Sequence, residues 1–230
     1  MKLLALDTSS DACTVAAEVD GALYEDHVVG AREHTKILMP MINRVLRDAG
    51  IELADLDAIV LGNGPGSFIG MRIGASVAQG LAFGSDKPIV PVSSLAAVAA
   101  GAFDRVPDAG TVVVTQDARM NQVYAGVFEV TANGVLACSD ECIVACDHEF
   151  ENIGSFAPAG DGWLRYPQLA TANANRLSGE PLSRLPRARY LLALGAARLA
   201  AGHAVSPTDL EPAYLRAKVA EAPADSQSSS

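Results

Sequence analysis

The chain has 230 residues, half of them apolar, and a formal net charge of −10 at pH 7; that length suffices for one large domain or two small lobes around real cores. Asp and Glu (27) outnumber Lys and Arg (17) with no basic run, which excludes tight, unaided binding to a nucleic-acid backbone and suits solubility or a basic protein partner. No apolar run approaches the roughly 18 residues of a membrane span, and the opening "MKLLALDTSS" is broken by Asp7, too early for a signal peptide, so a cytoplasmic location is expected.

"KLLALDTS" reads as a short buried strand ending at Asp7, Thr8 and Ser9. "CTVAAEVDGALYEDHVV" follows as two strands joined by an Asp20-Gly21 hairpin signal. In "REHTKILMPMINRVLRDAG" the apolar positions Ile37, Leu38, Met41, Ile42, Val45, Leu46 and Ala49 have helical spacing, with Gly50 as C-terminal cap and Pro40 inside the pattern. "LDAIVLG" is a strand, "GMRIGASVAQGLAFG" a helix, "PIVPV" a strand and "SSLAAVAAGAF" a helix.

The composition shifts at "DRVPDAG", and residues 105–208 are expected to form a second lobe after a first lobe of residues 1–104. "TVVVTQDARMNQVYAGVFEVTANGVLA" repeats the opening theme, with a strand, an acidic turn at Asp117 and a hairpin turning at Asn133-Gly134. Two units that open alike suggest internal duplication. "PRARYLLALGAARLAAG" reads as the helix closing the second lobe, residues 209–222 as a segment returning to the first lobe, and residues 223–230 as a disordered tail. Strand, turn and hairpin followed by alternating helices and strands implies an α/β protein with two mixed sheets flanked by helices.

The stretch "GNGPGSFIGMRIG" is glycine-rich but has neither the lysine of a phosphate-binding P-loop nor the spacing of a dinucleotide fingerprint. Its mechanical reading is a tight turn at Pro65-Gly66, a cap at Ser67 and a helix beginning near Gly70. Along that helix Gly70, Gly74, Ala78 and Ala82 form a ridge without bulk. Glycine inside a helix costs up to ~1 kcal/mol against alanine, so the ridge implies close approach of another backbone, either the underlying sheet or a partner helix. Ile73, Val77 and Leu81 lie on the adjacent face. The preceding helix, from His34 and Thr35 onwards, has an apolar stripe wider than one sheet face requires; a lone histidine at such a start reads as a capping or packing residue.

Cys138, Cys142 and Cys146 in "LACSDECIVACDHEF" are four residues apart. Residues so spaced on one strand share a face, and no second close ligand pair completes a tetrahedron, so they read as small buried thiols and not as a metal site.

Taken together, "LALDTSSDACTVAA", "REHTKILMP", "GNGPGSFIGMRIGASVAQGLAFG", "DARMNQVYAGVF", "GDGW" and "EPAYLR" occur in an order that resembles the TsaB (YeaZ) family over nearly the whole chain, to about Arg216. One departure is Ile69, where the family usually has threonine, which removes a hydroxyl at the helix start. The resemblance implies a two-lobed actin-like ATPase (ribonuclease H-like) fold and the role of accessory subunit in making threonylcarbamoyladenosine in tRNA. It implies a catalytic TsaD-like partner, a TsaE-like ATPase in the same complex, a homodimer when alone, tRNA contacted only indirectly, and no membrane. The catalytic sibling carries two metal-binding histidines on the helix corresponding to "VSSLAAVAA"; here Ser94 and Val98 stand in their places, and His27, His34, His148 and His203 lie elsewhere. No metal, no catalytic residue and no cofactor of its own are therefore expected.

In the wider ATPase superfamily, acids ending the first strand of each lobe help hold magnesium and phosphate, which makes Asp7, Thr8 and Asp117 weak cofactor candidates and leaves a nucleotide at a subunit junction open. The expected partner interface is built from His34, Thr35, Leu38, Met41, Ile42 and Val45 of one helix and Gly70, Ile73, Gly74, Val77, Ala78 and Leu81 of the other. The leading expectation is a non-catalytic scaffold. The alternative is an ATP-binding small-molecule kinase or ATPase of the same fold; metalloprotease activity, suggested only by an old classification of the sibling, lacks its ligands.

Overall fold

In the computed structural model, which describes residues 1–30, 33–105, 110–131, 134–182 and 185–216, the first strand, β1 (Lys2–Asp7), sits at the centre of a five-stranded sheet. β2 (Ala12–Val19) and β3 (Ala22–Val29) follow antiparallel, and β4 (Ala58–Gly62) and β5 (Ile89–Val92) run parallel on the other side, in the order β3-β2-β1-β4-β5. The β2–β3 turn is made by Asp20 and Gly21, both at positive φ (50° and 87°), the conformation that an Asp-Gly pair reaches at low cost.

Because side chains alternate along a strand, β1 and β4 present two apolar faces, and both are buried. Leu4, Leu6, Ile59 and Leu61 meet α1 (His34–Ala49) and α2 (Phe68–Ser85). Leu3, Ala5, Ala58 and Val60 face the opposite layer, where α6 (Ala188–Ala200) lies. Gly50 ends α1 in the left-handed conformation, φ 68°, and its N–H bonds to the carbonyl of Arg47. Ser67 caps α2 by accepting from the Gly70 N–H at 3.3 Å, and the helix starts at Phe68, two residues before Gly70.

The second sheet is β10 (Ala157–Ala159), β6 (Thr111–Asp117), β7 (Gln122–Thr131) and β8 (Gly134–Ala137) in that order, with β9 (Cys142–Ala145) also on β7. It repeats the antiparallel opening of the first sheet in shorter form, which gives the two-lobed actin-like architecture. Two short helices, α4 (Gly162–Arg165) and α5 (Pro167–Ala172), cover one face through Trp163 and Leu169.

The expected lobe boundaries need correction. α6 does not close the second lobe: Leu191 and Leu192 pack on the first sheet, Gly195 sits where a Cβ would come within 2.5 Å of Val60, and the Ala188 N–H donates to Thr14 Oγ1 at 3.0 Å. Val205 then bridges to Ile89 at the sheet edge. Conversely α3 (Ser94–Phe103), inside the expected first lobe, packs Leu95, Val98, Ala99 and Ala102 on Val112, Val114 and Phe128 of the second sheet. The two lobes thus exchange helices, because an apolar helix is covered by whichever sheet face the chain delivers it to, not by its neighbour in sequence.

The cysteines are not one buried face either. Cys138 and Cys142 are exposed and only Cys146 and the distant Cys13 are buried; Cys138 follows β8 while Cys142 opens β9, so no single strand carries all three. Asn133 of the expected second hairpin turn, and all of 217–230, lie outside the described residues.

Candidate functional site

The glycine stretch packs onto the turn between β1 and β2. A Cβ on Gly66 would fall 2.2 Å from the Ser9 carbonyl oxygen, and one on Gly70 would fall 2.0 Å from that of Thr8, so neither position admits a side chain. Three of the loop's N–H groups are committed within the protein: Ser67 donates to the Ser9 carbonyl, Gly64 to Ser94 Oγ and Gly70 to Ser67 Oγ. A phosphate cradle needs free N–H groups aimed outward. These three instead tie the loop to the β1–β2 turn, to the start of α3 and to its own helix cap.

The aspartate and threonine that end β1 are likewise engaged internally. Asp7 is fully buried; its carboxylate accepts from Ser94 Oγ at 2.6 Å and from the Ser9 N–H at 2.6 Å. Burial raises its pKa above the ordinary carboxylate range, against the opposing hydrogen bonds from Ser94 and Ser9. Thr8 is 1 % exposed and donates from Oγ1 to the Gly70 carbonyl at 2.7 Å. Neither lines the cleft wall. Asp117 does line the cleft, but Arg119 and Arg165 lie 3.3 and 3.2 Å from its Oδ2, and Tyr166 donates to its Oδ1 at 2.7 Å. The magnesium nucleotide that an actin-like fold implies would have to displace these partners, so the residues present do not fit it in that manner. Among the described residues no group of three or more His, Cys, Asp or Glu side chains is placed to hold a metal ion.

Between the lobes lies a cleft of about 1140 Å³. Its first-lobe wall is the Ser9–Asp11 turn, His34 and the start of α2; its second-lobe wall is Gln116–Met120, Tyr124, Asp161 and Arg165. Tyr124 donates across it to the Gly66 carbonyl at 3.3 Å. Residues 211–216 cross its mouth as a strap. The Ala213 N–H donates to the Asn63 carbonyl, Tyr214 accepts from Arg72 Nε at 3.0 Å, and the Arg216 guanidinium reaches the Ala118 carbonyl (3.0 Å) and Gln122 Oε1 (2.7 Å). Asp161 begins "DGW"; flanking Gly160 and Gly162 let it approach, since a Cβ on either would strike Thr115. Burial, with the nearby charges of Asp117 and Asp11, pushes Asp161 up to about 6. Gln116, Asp161, Arg165 and Arg216 were not singled out from sequence as site residues; the glycine pair around Asp161 was the one local signal of a close approach.

The outward side of α1 and α2 is a second feature. Leu38, Met41, Ile42 and Val45 are at most 2 % exposed and face the first sheet. The small ridge faces it too: Gly70 meets Thr8, a Cβ on Gly74 would lie 2.7 Å from Thr8 Oγ1, and Ala78 is fully buried. These seven positions are therefore core, and the underlying sheet supplies the close approach that the ridge required. His34 is half-buried, with Nε2 at 3.2 Å from the Ala12 carbonyl. Thr35, Ile73 and Val77 border an outward apolar groove of about 370 Å³, together with Leu38, Met39, Ile69, Arg72 and Ser76. Leu81 is half-buried beside it on the core. Phe83 (78 % exposed) continues the same outward side of α2.

Comparison with known proteins places the chain. A family model described as "TsaD: tRNA N6-adenosine threonylcarbamoyltransferase" matches residues 28–223. The tRNA threonylcarbamoyladenosine biosynthesis protein TsaB of Haemophilus influenzae is 39% identical over 95% of both chains. The chain belongs to the TsaB family. The TsaB of Escherichia coli is 36% identical over 96% of each chain. Among solved structures, a Pseudomonas aeruginosa protein described as similar to peptidase YeaZ superposes with a TM-score of 0.82 at 34% identity, covering 94% of this chain and 99% of that one.

Proposed function

We propose that this chain is a non-catalytic scaffold in the machinery that makes threonylcarbamoyladenosine in tRNA, docking a TsaD-like catalytic subunit through the outward side of α1 and α2. The observation that carries the reading is the unpartnered apolar face there. Ile69 (69 % exposed), Phe83 (78 %) and Met39 (38 %) stand in solvent along one side of the helix pair. On the same helix Gly80 and Gly84 have nothing within 4 Å of a built Cβ. Two open helix glycines cost up to ~1 kcal/mol each with no internal gain, which fits a face that another backbone approaches.

Family membership supports the pathway. Ser94 supports the non-catalytic role: where the catalytic sibling is expected to carry a metal-binding histidine, this hydroxyl instead bonds Asp7 and the Gly64 N–H. The same face serves a second copy when the chain is alone, a TsaE-like ATPase joins the same complex, tRNA is met through the partner, and the assembly works in the cytoplasm. No helix among the described residues is long and apolar enough to cross a membrane.

The test is co-purification with the TsaD-like subunit and reconstituted tRNA modification with and without this chain. Ile69→Glu places a charge on an exposed position, so its melting temperature is expected to stay near native while association weakens at least ten-fold and modification falls with it. Native-like association and modification by this variant would remove the face from the reading.

A further inference from the structure

One buried polar side chain faces the interlobe cleft with no partner, and a second has at most one. Gln116 on β6 is 4 % exposed and neither its amide nitrogen nor its amide oxygen is hydrogen-bonded; Ser9 on the β1–β2 turn is 2 % exposed and its hydroxyl has no neighbour to bond but the Asp7 carboxylate. Both line the cleft. A buried polar group left unpaired costs about 1–3 kcal/mol, so one that persists is normally completed by water, an ion or a ligand.

The second-lobe wall adds charge. Arg119 and Arg165 share one carboxylate, Asp117. Arg216 is held by neutral acceptors: the Ala118 carbonyl, Gln122 Oε1 and the Met120 thioether at 3.1 Å. The remaining cleft carboxyls are Asp11 and Asp161, and the latter is half protonated near pH 6. Three guanidiniums gather here in a chain whose net charge is −10. A guanidinium carries five donors in a planar fork that matches an oxyanion. Phe68, Met120 and Tyr214 supply an apolar rim for the rest of a ligand.

We propose that the cleft binds a small oxyanion-bearing molecule, a phosphate or carboxylate, without a metal: Arg119 and Arg216 hold the anion, and Gln116 and Ser9 pair with neutral polar groups beside it. The amide of Gln116 offers a donor and an acceptor together, so the neutral part carries a hydroxyl, carboxamide or similar edge. Asp7 and Asp117, the acids that would ligate a metal, are already occupied by Ser94 and by guanidiniums. The cleft borders the docking face at Thr35, Ile69 and Ile73, but Ser9, Gln116, Arg119 and Arg216 are not part of that face, so the site holds whether or not that reading does.

The experiment is calorimetric titration of the full chain, in EDTA and at fixed ionic strength, with pyrophosphate and separately with citrate. Saturable binding of one is expected, and which one binds distinguishes a phosphate from a carboxylate ligand. Trp163, two residues after Asp161, gives an independent fluorescence readout. Arg216→Gln and Gln116→Leu are each expected to weaken binding at least ten-fold, while Arg44→Gln, on the distant Asp26 pair, leaves it unchanged. Gln116→Leu breaks no hydrogen bond within the protein, so its melting temperature without anion is expected to equal or exceed the native value, which a structural role for the amide would not allow. If it fails to fold, Arg216→Gln decides alone. Absence of saturable binding with both anions, native affinity in the variants, or binding only with added magnesium would each overturn the proposal.

Discussion

The ends of β1 and β6 occupy equivalent places in the two lobes, and each carries an aspartate. Asp7 is sealed under the first helix layer, its charge disfavoured by burial and its oxygens held by a serine hydroxyl and a backbone N–H. Asp117 stands at the cleft with two guanidiniums and a tyrosine hydroxyl. The difference comes from what covers each strand end. At β1 the glycine-free approach of α2 is impossible, so Gly62, Gly66, Gly70 and Gly74 bring loop and helix down onto the Asp7–Ser9 turn. At β6 the turn that follows holds Arg119, Met120 and Asn121 all at positive φ, between 55° and 63°, and it opens toward the cleft. One strand end is closed by backbone and helix, while the other, its carboxylate only 8 % exposed, is closed by guanidiniums that reach in from solvent.

The sharpest way to break this contrast is at Asp7. Asp7→Ala leaves Ser94 Oγ and the Ser9 N–H without their acceptor in a fully buried site and opens a small void; a loss of about 3 kcal/mol is expected from urea unfolding. Asp7→Asn keeps an acceptor for the Ser94 hydroxyl and should lose less than half as much. Equal losses in the two variants would mean that the ionised carboxylate, and not its hydrogen bonds, holds the turn.

How much of this was readable from sequence follows the same division. The strand and helix periods, the Asp20-Gly21 turn and the Gly50 cap are local chemistry and were legible. The width of the apolar stripe on α1 was legible too, but not what covered it: Met41, Ile42 and Val45 went to the first sheet, and the groove keeps Thr35, Ile73 and Val77 of the expected interface with Met39, Ile69 and Arg72 beside them. The ridge of Gly70, Gly74 and Ala78 announced a close approach and left two candidates for its target, a choice that only the fold makes. The destination of α6 and the crossing of Arg216 to the second lobe depend on contacts between residues more than 90 apart, which no window of local pattern contains. Gln116 was invisible for the opposite reason: a lone glutamine at a strand end has no signature until its missing partners are seen.

Asp161 gives the next largest effect, because it is the cleft acid that burial perturbs most among those with a resolved value. Its folded pKa is raised from 3.8 to about 6, so the protonated form is favoured by folding. The associated stability is present below about pH 4 and is lost as pH rises through about 6, by roughly 2 kcal/mol allowing for partial solvation. Asp161→Asn removes the titration. The variant is expected to gain about 2 kcal/mol over the native chain at pH 7 and nothing near pH 4, read as the difference between urea midpoints at pH 4, 5.5 and 7. A difference that does not change with pH would place the carboxyl in ordinary solvent contact.

The smallest effect is expected at Asp117, although it makes the most charged contacts of the three. Arg119 and Arg165 are 70 % and 45 % exposed in their side chains, and ion pairs with one arm in solvent are worth about 0.2–1 kcal/mol. The Tyr166 hydroxyl, bonded at 2.7 Å, sits at the surface and turns to water when the carboxylate is removed. The carboxylate itself is 8 % exposed and also accepts the Arg119 N–H at 2.9 Å, so Asp117→Ala should cost about 1.5 kcal/mol, and the ion-pair part of that cost should shrink in 0.5 M salt as the pairs are screened. The same change frees both guanidiniums, so anion binding in the cleft should tighten several-fold by calorimetry even as the fold loosens slightly. That opposite movement of stability and affinity separates a carboxylate that restrains the guanidiniums from one that, like Asp7, holds the core. A cost at Asp117 matching that of Asp7→Ala, unchanged by salt, would erase the distinction between the two strand ends.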